Sequence, residues 1–391
     1  MKYIDELLKG HEVEWKELGE VAEIYGGLTG KSKSDFEDGN ALFISYKNIY
    51  DNYEINNQDL PKVKVSESEQ QHKVEYGDVL FTGSSETAEE VAYSSAVTKC
   101  FDEAVYLNSF SFGVRFHKDI ELIPEFSKHL FRGVYMRKQM AKTASGVTRF
   151  NVSKARFKKI LIPLPPLSVQ EEIVRILDKF TTLEAELEAE LDCRKRQYEY
   201  YRNQLLSFEN GAVEWKSLKE IAVNFDAMRK PITSGAREKG TIPYYGASGV
   251  VDHVKGFIFD GDYLLVSEDG ANLIARTTPI AFSISGKSWV NNHAHVLKFN
   301  TYEERRFVEY YLNSIDLIPY ISGAAQPKLN QKNLNKIKIP SPSLVVQQRI
   351  VTFLDKFDTL VNSISEGLPK EIELRRKQYE YYREQLLSFR H

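Results

Sequence analysis

Apolar residues recur at alternating steps of three and four in two long blocks of the chain, which is the spacing of a coiled-coil seam. Treating residues 168–208 as the first helix gives a rod of about 60 Å at ~1.5 Å per residue. Proline-rich stretches at 163–166 and 340–342 end the preceding strands and set the start of each helix. The seam positions are Ile173, Leu177, Phe180, Leu183 or Glu184, Leu187, Leu191, Arg194, Tyr198, Tyr201 and Leu205, then Ile350, Leu354, Phe357, Val361, Ile364, Leu368, Tyr379, Tyr382 and Leu386.

The segments between these blocks predict short strands followed by a helix, so the predicted fold class is α+β. In the first segment the helix is rich in basic residues, namely Lys128, Arg132, Arg137, Lys138 and Lys142. The predicted elements are strands at 41–45, 78–82 and 111–116 with a helix at about 124–142, then strands at 262–266 and 295–299 with a helix at about 302–314.

The chain contains an internal repeat, which is the strongest sequence signal for its architecture. Val13–Leu18 returns as Val213–Leu218, and the block 196–208 returns almost letter for letter at 377–389. Residues 20–145 and 220–322 share almost nothing. The scaffold is therefore duplicated, whereas the globular segments inserted into it have diverged.

The repeat also predicts how the chain closes. Leu7-Leu8 precedes the first copy as Leu205-Leu206 precedes the second, and the chain stops at the matching Leu386-Leu387. We expect a quasi-circular molecule with a pseudo-two-fold axis, whose two long helices pair antiparallel as an intramolecular coiled coil. An oligomerising coiled coil between chains is the alternative. The predicted domains are 1–165 and 211–342 for the globular parts, with helices at 166–210 and 343–391.

The two helical blocks differ by four residues. Leu183 to Arg194 is shorter than the matched Leu360 to Arg375, and the longer block contains Gly367-Leu368-Pro369, which predicts a break near Pro369. The shorter block carries a tandem Glu-Ala-Glu-Leu unit at 184–191. Each unit is about one helical turn, roughly 6 Å.

Composition changes this picture little. The chain has 391 residues, of which 42% are hydrophobic, 27% charged and 12% aromatic, as in a soluble globular protein. It has no apolar run of about eighteen residues and its start has no signal-peptide pattern, so we expect no membrane partner. Two distant cysteines, Cys100 and Cys193, fit a reducing cytoplasm. The net charge of −3 does not exclude nucleic acid, because phosphate contacts depend on local charge.

Each globular segment ends in a polar, glycine-led loop. The loops are 145–151 and 322–328, and each reaches an Ile-Pro pair at the same spacing. Such loops suit base or phosphate contact. A surface turn before a strand is the alternative, but recurrence of the loop amid lost similarity favours function.

Other chemical motifs are weak. Gly26–Ser32 resembles a phosphate-binding loop, but only three residues separate its glycines instead of four, so a DNA-phosphate contact through Lys31 and Lys33 is the better hypothesis. His293 and His295 form a possible metal pair, although a strand histidine satisfied by its neighbours is favoured.

The Glu-x-Lys pattern of nucleases also occurs, around Trp15 and Trp215 within the repeat, where packing explains it better. The sequence contains no Asn/Asp-Pro-Pro-Tyr/Phe methyltransferase motif. We therefore expect no methylation by this chain alone.

Two variable globules, each ended by a Gly-x-x-(Gln/Arg) loop, an Ile-Pro-x-Pro turn and a long helix, resemble the specificity subunits of type I restriction–modification enzymes. Segments 242–249 and 268–272 are also typical of that family, and the tandem Glu-Ala-Glu-Leu is similar to the spacer repeat of one subfamily. Arg149 of the first loop corresponds to Gln326 of the second, so the two loops need not contact DNA identically.

The resemblance implies a non-catalytic subunit that recognises double-stranded DNA. Each globule would be a target recognition domain for one half of a bipartite, asymmetric site. The helices would set the gap and dock two modification subunits, which bring S-adenosylmethionine and flip the target adenine. Restriction subunits would add ATP-driven translocation and Mg-dependent cleavage, so no cofactor is expected in this chain. Changing the helix by one four-residue unit would shift the globules by nearly two base-pair steps of ~3.4 Å.

The candidate DNA-contacting residues lie in loops, because Asn and Gln suit adenine while Arg and Lys suit guanine. A coiled-coil scaffold whose globules bind proteins is the alternative, and sequence-specific DNA binding separates the two. The candidates are Lys31, Lys33, Lys47, Asn48, Ser84, Ser85, Thr148 and Arg149 in the first half, and Tyr245, Ser248, Asp269, Asn272, Gln326 and Lys328 in the second.

Overall fold

The structure, a computed structural model, describes residues 3–209, 211–323 and 326–389. The chain divides into two compact units. The first comprises Met1–Leu187 and Ile372–His391, and the second comprises Glu188–Glu371. Both units mix helices with short strands, which confirms the predicted α+β class.

The first unit begins with a short helix and ends with a helix that continues into the second unit. Its elements are α1 (Tyr3–Leu8), β1 (Glu14–Glu17), α2 (Leu18–Val21), β2 (Ala22–Gly26), β3 (Ala41–Ile44), α3 (Tyr46–Asp51), β4 (Lys62–Val63), β5 (Val79–Thr82), β6 (Ser84–Ser85), β7 (Ser94–Ala96), β8 (Val105–Leu107), β9 (Ser111–Phe116), α4 (Pro124–Leu130), α5 (Val134–Ala141), β10 (Ala144–Ser145), β11 (Phe150–Val152), α6 (Lys154–Phe157), β12 (Leu161–Leu164) and α7 (Leu167–Leu205).

An antiparallel sheet of order β2-β9-β5-β7 forms the centre of the first unit. All four residues of β5 are buried, because this strand is covered on both faces. One face packs on α4 and α5, and the other on a smaller sheet of order β4-β3-β8. A third sheet, β10-β11-β6, connects the glycine-led loop to the end of β5.

The second unit repeats this plan with different strands. Its elements are β13 (Glu214–Ser217), α8 (Leu218–Ile221), β14 (Val223–Asn224), β15 (Lys239–Gly246), β16 (Gly249–Val254), β17 (Phe259–Asp260), β18 (Tyr263–Ser267), α9 (Asn272–Ala275), β19 (Ala281–Ile284), β20 (Lys287–Val290), β21 (Ala294–Lys298), α10 (Tyr302–Ser314), α11 (Gln331–Leu334), β22 (Lys338–Ser341), α12 (Leu344–Asn362) and α13 (Leu368–Leu386), the last of which continues into the first unit.

The buried strand β18 is central in the sheet β14-β21-β18-β19, and a second sheet has the order β16-β15-β20-β17. Helix α10 packs on β18 and β19 as α4 packs on β5 and β7. Both units also contain the same two-stranded ladder, in which Trp15 lies opposite Pro163 and Trp215 opposite Pro340. The two tryptophans pack edge-on against Tyr135 and Tyr311, which supports the packing explanation of the Glu-Trp-Lys motif.

Intramolecular helix pairing is confirmed within each unit. In the first unit Phe180 stacks on Tyr382, and Glu184 forms an ion pair of 2.6 Å with the earlier Arg376, so α7 and α13 run antiparallel. In the second unit Tyr198 stacks on Phe357, and Tyr201 packs edge-on against the earlier Phe353. Helices α7 and α12 therefore also run antiparallel. The break in the second block is also confirmed: α12 ends at Asn362, and Gly367 has φ +80° before α13 begins.

The two ends of the chain meet in the core of the first unit, as the repeat predicts. Ile4 of α1 is buried in the same cluster as Leu386 and Leu387 of α13. The prediction of one basic helix at about 124–142 was wrong. Phe131–Gly133 interrupts it, and Gly133 caps the separate helix α5.

Candidate nucleic-acid interface

In the first unit the glycine-led loop is fixed to the end of the central strand. Residues 144–152 form a hairpin in which Ser145 lies opposite Asn151, and Asn151 pairs in turn with Ser84. The turn requires glycine at 146, because its φ is +131° and a Cβ there would lie 2.1 Å from the carbonyl oxygen of Arg149. The backbone of the loop is therefore held by its pairing with β6 and by the turn at Gly146.

A groove of about 740 Å³ lies between this hairpin and α3. Four of the predicted DNA-contacting residues line it, although they come from two distant parts of the sequence: Ser84, Ser85, Thr148 and Arg149. The remaining lining residues were not singled out from the sequence, and they are Tyr46, Tyr50, Glu86, Glu90 and Phe110.

Arg149 is the one guanidinium lining this groove. Its Nε and Nη2 donate to Ser84 Oγ at 3.3 and 3.0 Å, and the group lies 5.9 Å from the ring centre of Phe110, which is 62% exposed. Nη1 donates to no residue of the described ranges. It is therefore free to donate to a guanine edge or a phosphate.

Two carboxylates of the groove have different roles. Glu90 accepts hydrogen bonds from Thr87, Tyr50 and Ser85, and those from Thr87 and Tyr50 hold its pKa below the ordinary value. Desolvation and the bond to Glu90 raise the pKa of Tyr50 to about 12, so this phenol remains a donor. Glu86 is exposed and bonds to no other residue that the structure describes. A free carboxylate can accept from an amino group such as that of cytosine.

The other predicted residues of the first unit lie outside the groove. The Lys31 side chain is only 6% exposed and forms an ion pair with Glu69 at 2.5 Å, which lowers the pKa of Glu69 to about 2. Lys33 and Lys47 are exposed cations. Asn48 uses its side-chain amide to bind both backbone groups of Asn56, at 2.8 and 3.1 Å. Lys31 and Asn48 thus have structural partners. Lys33 and Lys47 are accessible to phosphate, although Lys47 also lies 3.6 Å from Asp51.

Both arginines of the basic segment 124–142 face backbone carbonyls of the first unit and not the groove. Arg132 donates to the carbonyls of Ile49, Tyr50, Asn52 and Ser94, and Arg137 donates to those at 89, 91 and 92. Burial lowers the pKa of both guanidiniums. These arginines instead fix the two segments that carry Tyr50 and Glu90 into the groove.

The loop of the second unit is built in the same way. Ser322 and Lys328 exchange two backbone hydrogen bonds of 2.8 Å, and Lys328 also bridges to Asp269 beyond the end of β18. Gly323 has φ +85°, and a Cβ there would lie 2.4 Å from the carbonyl oxygen of Gln326. Residues 324 and 325 of the predicted loop lie outside the described residues. Gly146 and Gly323 thus occupy equivalent positions, which supports the alignment of Arg149 with Gln326.

An ionic cluster lies beneath the second loop. Lys328 Nζ is 3.2 Å from Glu268, and Glu268 also binds Arg229 at 2.6 Å. The fully buried His295 contacts Asp226 at 2.6 Å, so the prediction of a histidine satisfied by its neighbours is confirmed for His295. The exposed His293 binds Asp269 at 2.9 Å.

The remaining predicted residues of the second unit surround this cluster or shape nearby turns. Ser248 is exposed in the turn between β15 and β16, and Gln326 is exposed in the loop. Tyr245 is half-buried, with its ring 6.2 Å from Phe282. Asn272 binds the backbone of Thr278 through both ends of its amide, so it holds the turn after α9.

Several residues of both sites were missed because their partners are remote in sequence. Tyr46 and Tyr50 are spaced by four on α3 and stack at 6.1 Å, a pattern that a helix prediction after β3 could have found. Phe110 and Asp226 carry no such signal.

In the described ranges, no helix is long and apolar enough to cross a membrane, and no group of three or more acidic, histidine or cysteine side chains could hold a metal ion.

Comparison with known proteins gives the same picture along the whole chain. The family model for the type I restriction modification DNA specificity domain matches residues 11–192 and 211–374. The chain is 33% identical over 424 residues to the EcoR124I/EcoR124II specificity subunit of Escherichia coli, covering 100% of this chain and 97% of that one.

Two solved structures share the fold. One is a type I restriction–modification S subunit from M. genitalium, with TM-score 0.54, 15% identity and coverage of 96% of this chain and 97% of that chain. The other comes from a study of complex assembly and conformational transition in a type I system, with TM-score 0.61, 16% identity and coverage of 96% and 98%.

Proposed function

The chain belongs to the family of type I restriction–modification DNA specificity subunits, and on this premise we propose how its residues divide the task of recognising DNA. Members of this family are non-catalytic, and they supply the sequence specificity of a complex whose other subunits modify or cut DNA. Each unit of this chain reads one half of a bipartite, asymmetric site in double-stranded DNA.

The observation that carries this proposal is the glycine-led loop fixed to the end of the central strand in both units. The first loop presents Thr148 and Arg149, and the second presents Gln326 and Lys328. Arginine and glutamine read guanine and adenine through bidentate contacts in the major groove. Because the two loops differ at aligned positions, the two half-sites differ in sequence. Lys33 and Lys47 supply phosphate contacts that add affinity without specificity.

The helical faces dock two modification subunits. In the first unit Tyr382 is 40% exposed beside Phe180, and in the second Tyr201 is 42% exposed beside Phe353. Each unit thus offers a similar aromatic surface on its helix pair, which suits two copies of one partner. These partners hold S-adenosylmethionine, and restriction subunits hold ATP and Mg.

The four-residue repeat of α7 acts as a ruler. One copy, 184–187, closes the part of α7 that belongs to the first unit, and the other, 188–191, opens the part that belongs to the second. Removing one copy from a continuous helix shortens it by about 6 Å and rotates it by about 40°. The half-sites then stay the same while the gap between them changes.

The test is to express the chain with its candidate modification subunit and map methylated adenines genome-wide by single-molecule sequencing. The map is repeated after deletion of 188–191. We expect a split motif whose halves persist while the gap changes by one or two base pairs. Absence of methylation from a stable complex with an active partner would overturn the DNA-recognition role and favour a scaffold that binds proteins.

A further inference from the structure

The second unit buries a cluster of ionisable groups directly under its recognition loop. Two acids, Asp226 and Glu268, face three cationic groups: His295, Arg229 and Lys328. Burial, the largest single effect, would raise the pKa of both acids, but their hydrogen bonds and neighbouring cations together lower it, led by the bond from His295 for Asp226 and that from Arg229 for Glu268. The cluster is thus charged, and the loop rests on it.

His295 has an acceptor at each ring nitrogen. Nδ1 lies 2.6 Å from the carboxylate of Asp226, and Nε2 lies 2.7 Å from the carbonyl oxygen of Leu329. A carbonyl can only accept, so Nε2 carries a proton. The ionised Asp226 also accepts, so Nδ1 carries the second proton. The geometry therefore fits the imidazolium cation.

A second buried histidine shows the contrast. His129 of the first unit donates from Nε2 to Asp178 at 2.8 Å, while Tyr379 can donate its hydroxyl proton to Nδ1 at 3.0 Å. One donor and one acceptor fit a neutral ring, and burial lowers the pKa of His129. The two histidines have the same exposure, but their partners select different protonation states.

The imidazolium holds the loop at its base. Leu329, whose carbonyl accepts from His295, also donates its amide proton to the carbonyl of Glu268 at 2.7 Å. The adjacent Lys328 binds the Glu268 carboxylate, and Gly270 donates to the carbonyl of Pro327 at 3.2 Å. Residues 327–329 are therefore fixed to the end of β18 by contacts that centre on Glu268 and His295.

We propose that His295 is a positioning residue for recognition of the second half-site, acting as a doubly donating imidazolium that fixes the loop bearing Gln326 and Lys328. This inference rests on the DNA-recognition role proposed above. The described residues of the first unit contain no equivalent device, because Gly83 occupies the position of Glu268: the carbonyl of Gly83 accepts from Val152 as that of Glu268 accepts from Leu329. The first half-site is thus an internal control.

His295→Gln offers one amide nitrogen in place of two ring N–H donors, so either Asp226 or the carbonyl of Leu329 loses its partner. The other groups around the ring are Glu268, 3.8 Å from Nδ1, and the cations Arg229 and Lys328 that pair with these acids. Asp269 and His293 form a separate exposed pair. We expect the loop to loosen and discrimination at the second half-site to fall about tenfold, as for a lost charged hydrogen bond.

Asp226→Asn removes the negative charge beside His295 but keeps the size of the side chain. The Asn amide can donate to Nδ1 of a neutral His295, while its oxygen still accepts from the amide of Val296, at 2.9 Å in the native chain. Both hydrogen bonds then survive without the cation, although the 3.5 Å ion pair between Asp226 and Arg229 is lost. His253→Gln, at an exposed histidine of the same unit, is the matched control and keeps the native preference.

The experiment selects bound sequences from a random-sequence duplex pool with the complete modification complex. Arg149→Gln identifies the half-site of the first unit. We expect second-half preference to fall about tenfold in His295→Gln, to fall less in Asp226→Asn, and to keep the native value in His253→Gln.

Native second-half preference in His295→Gln, or an equal fall at both half-sites, would overturn the role of His295 while both half-sites remain selected. Selection of neither half-site would instead overturn the proposed function. The two failures are therefore distinguishable in one data set.

Discussion

The hydroxyl of Tyr379 lies 3.0 Å from Nδ1 of His129, a residue 250 positions earlier in the chain. This hydrogen bond joins the last helix to the core of the first unit, together with the packing of Ile4 on Leu386. The C-terminal helix is therefore part of the first globular unit, although the rest of the chain separates them in sequence.

Tyr379→Phe tests this closure. The change removes one buried hydrogen bond and leaves His129 Nδ1 without a donor, so we expect the free energy of unfolding of the first unit to fall by about 1 kcal/mol. Denaturant unfolding followed by circular dichroism measures it. Tyr381→Phe is the control, because this ring is 61% exposed, and it leaves the midpoint unchanged. Equal effects from the two variants would contradict the structural role of Tyr379.

Acid is expected to weaken the first unit in two steps. Burial lowers the pKa of His129, so the unfolded chain binds more protons and stability falls as the pH drops below about 6.5. The pKa of Asp178 is also lowered, against its own burial, by the bonds from His129 and Lys128, so further stability is lost below about pH 4.

Thermal melting at pH values between about 4 and about 6.5 measures the loss of stability that is due to His129. A His129→Asn variant still offers an amide donor to Asp178 but does not titrate, so its melting temperature changes less between neutral and mildly acidic pH. If the melting temperature of His129→Asn falls with pH as steeply as that of the native chain, a group other than His129 is responsible.

The glycines of the two loops are expected to control one half-site each. Gly146→Ala forces a Cβ against the carbonyl of Arg149, and Gly323→Ala against that of Gln326. Each must distort its own loop, so methylome maps of the variant complexes lose preference at one half of the motif. Gly235→Ala places its Cβ in open space and serves as control. Loss of both halves in either single variant would indicate general unfolding instead.

Arg149 and Lys31 are expected to differ in their effects on DNA binding. Arg149→Ala removes a guanidinium whose Nη1 is free, so it costs about 1–3 kcal/mol of discrimination at one base pair. Lys31→Ala removes a cation already paired with Glu69, so affinity changes by less than about twofold at moderate salt. Titration of labelled duplexes with single-base changes measures both. A uniform loss over all duplexes for Arg149→Ala would assign it to phosphate.

The exposed aromatic residues of the helices are expected to matter for assembly only. Tyr200 and Tyr381 are each 61% exposed and pack edge-on against the next tyrosine. Alanine at either position leaves the melting temperature of the chain unchanged but weakens capture of the modification subunit, because aromatic residues contribute disproportionately to interfaces. If a variant with alanine at both positions captures the modification subunit as well as the native chain does, the docking surface lies elsewhere.

The sequence alone was sufficient for the duplicated scaffold. Its repeats and its three- and four-residue spacing predicted the helix pairing, the break before α13 and the meeting of Leu386 with the N-terminal helix, all of which the structure confirms. These features follow from local periodicity, because a helix that carries an apolar seam must bury it against another. The two loop glycines were also visible as a recurring pattern.

Only the tertiary structure decided what each charged side chain does. Arg132 and Arg137 stood out in the sequence only as part of a basic segment, yet they donate to backbone carbonyls 38 to 83 positions away. His295 was one half of a possible metal pair in the sequence, yet its Nδ1 lies 2.6 Å from Asp226, a residue 69 positions earlier. Periodicity determines which face of an element is buried, but the protonation and availability of a polar group depend on its partners, which folding brings from distant parts of the chain.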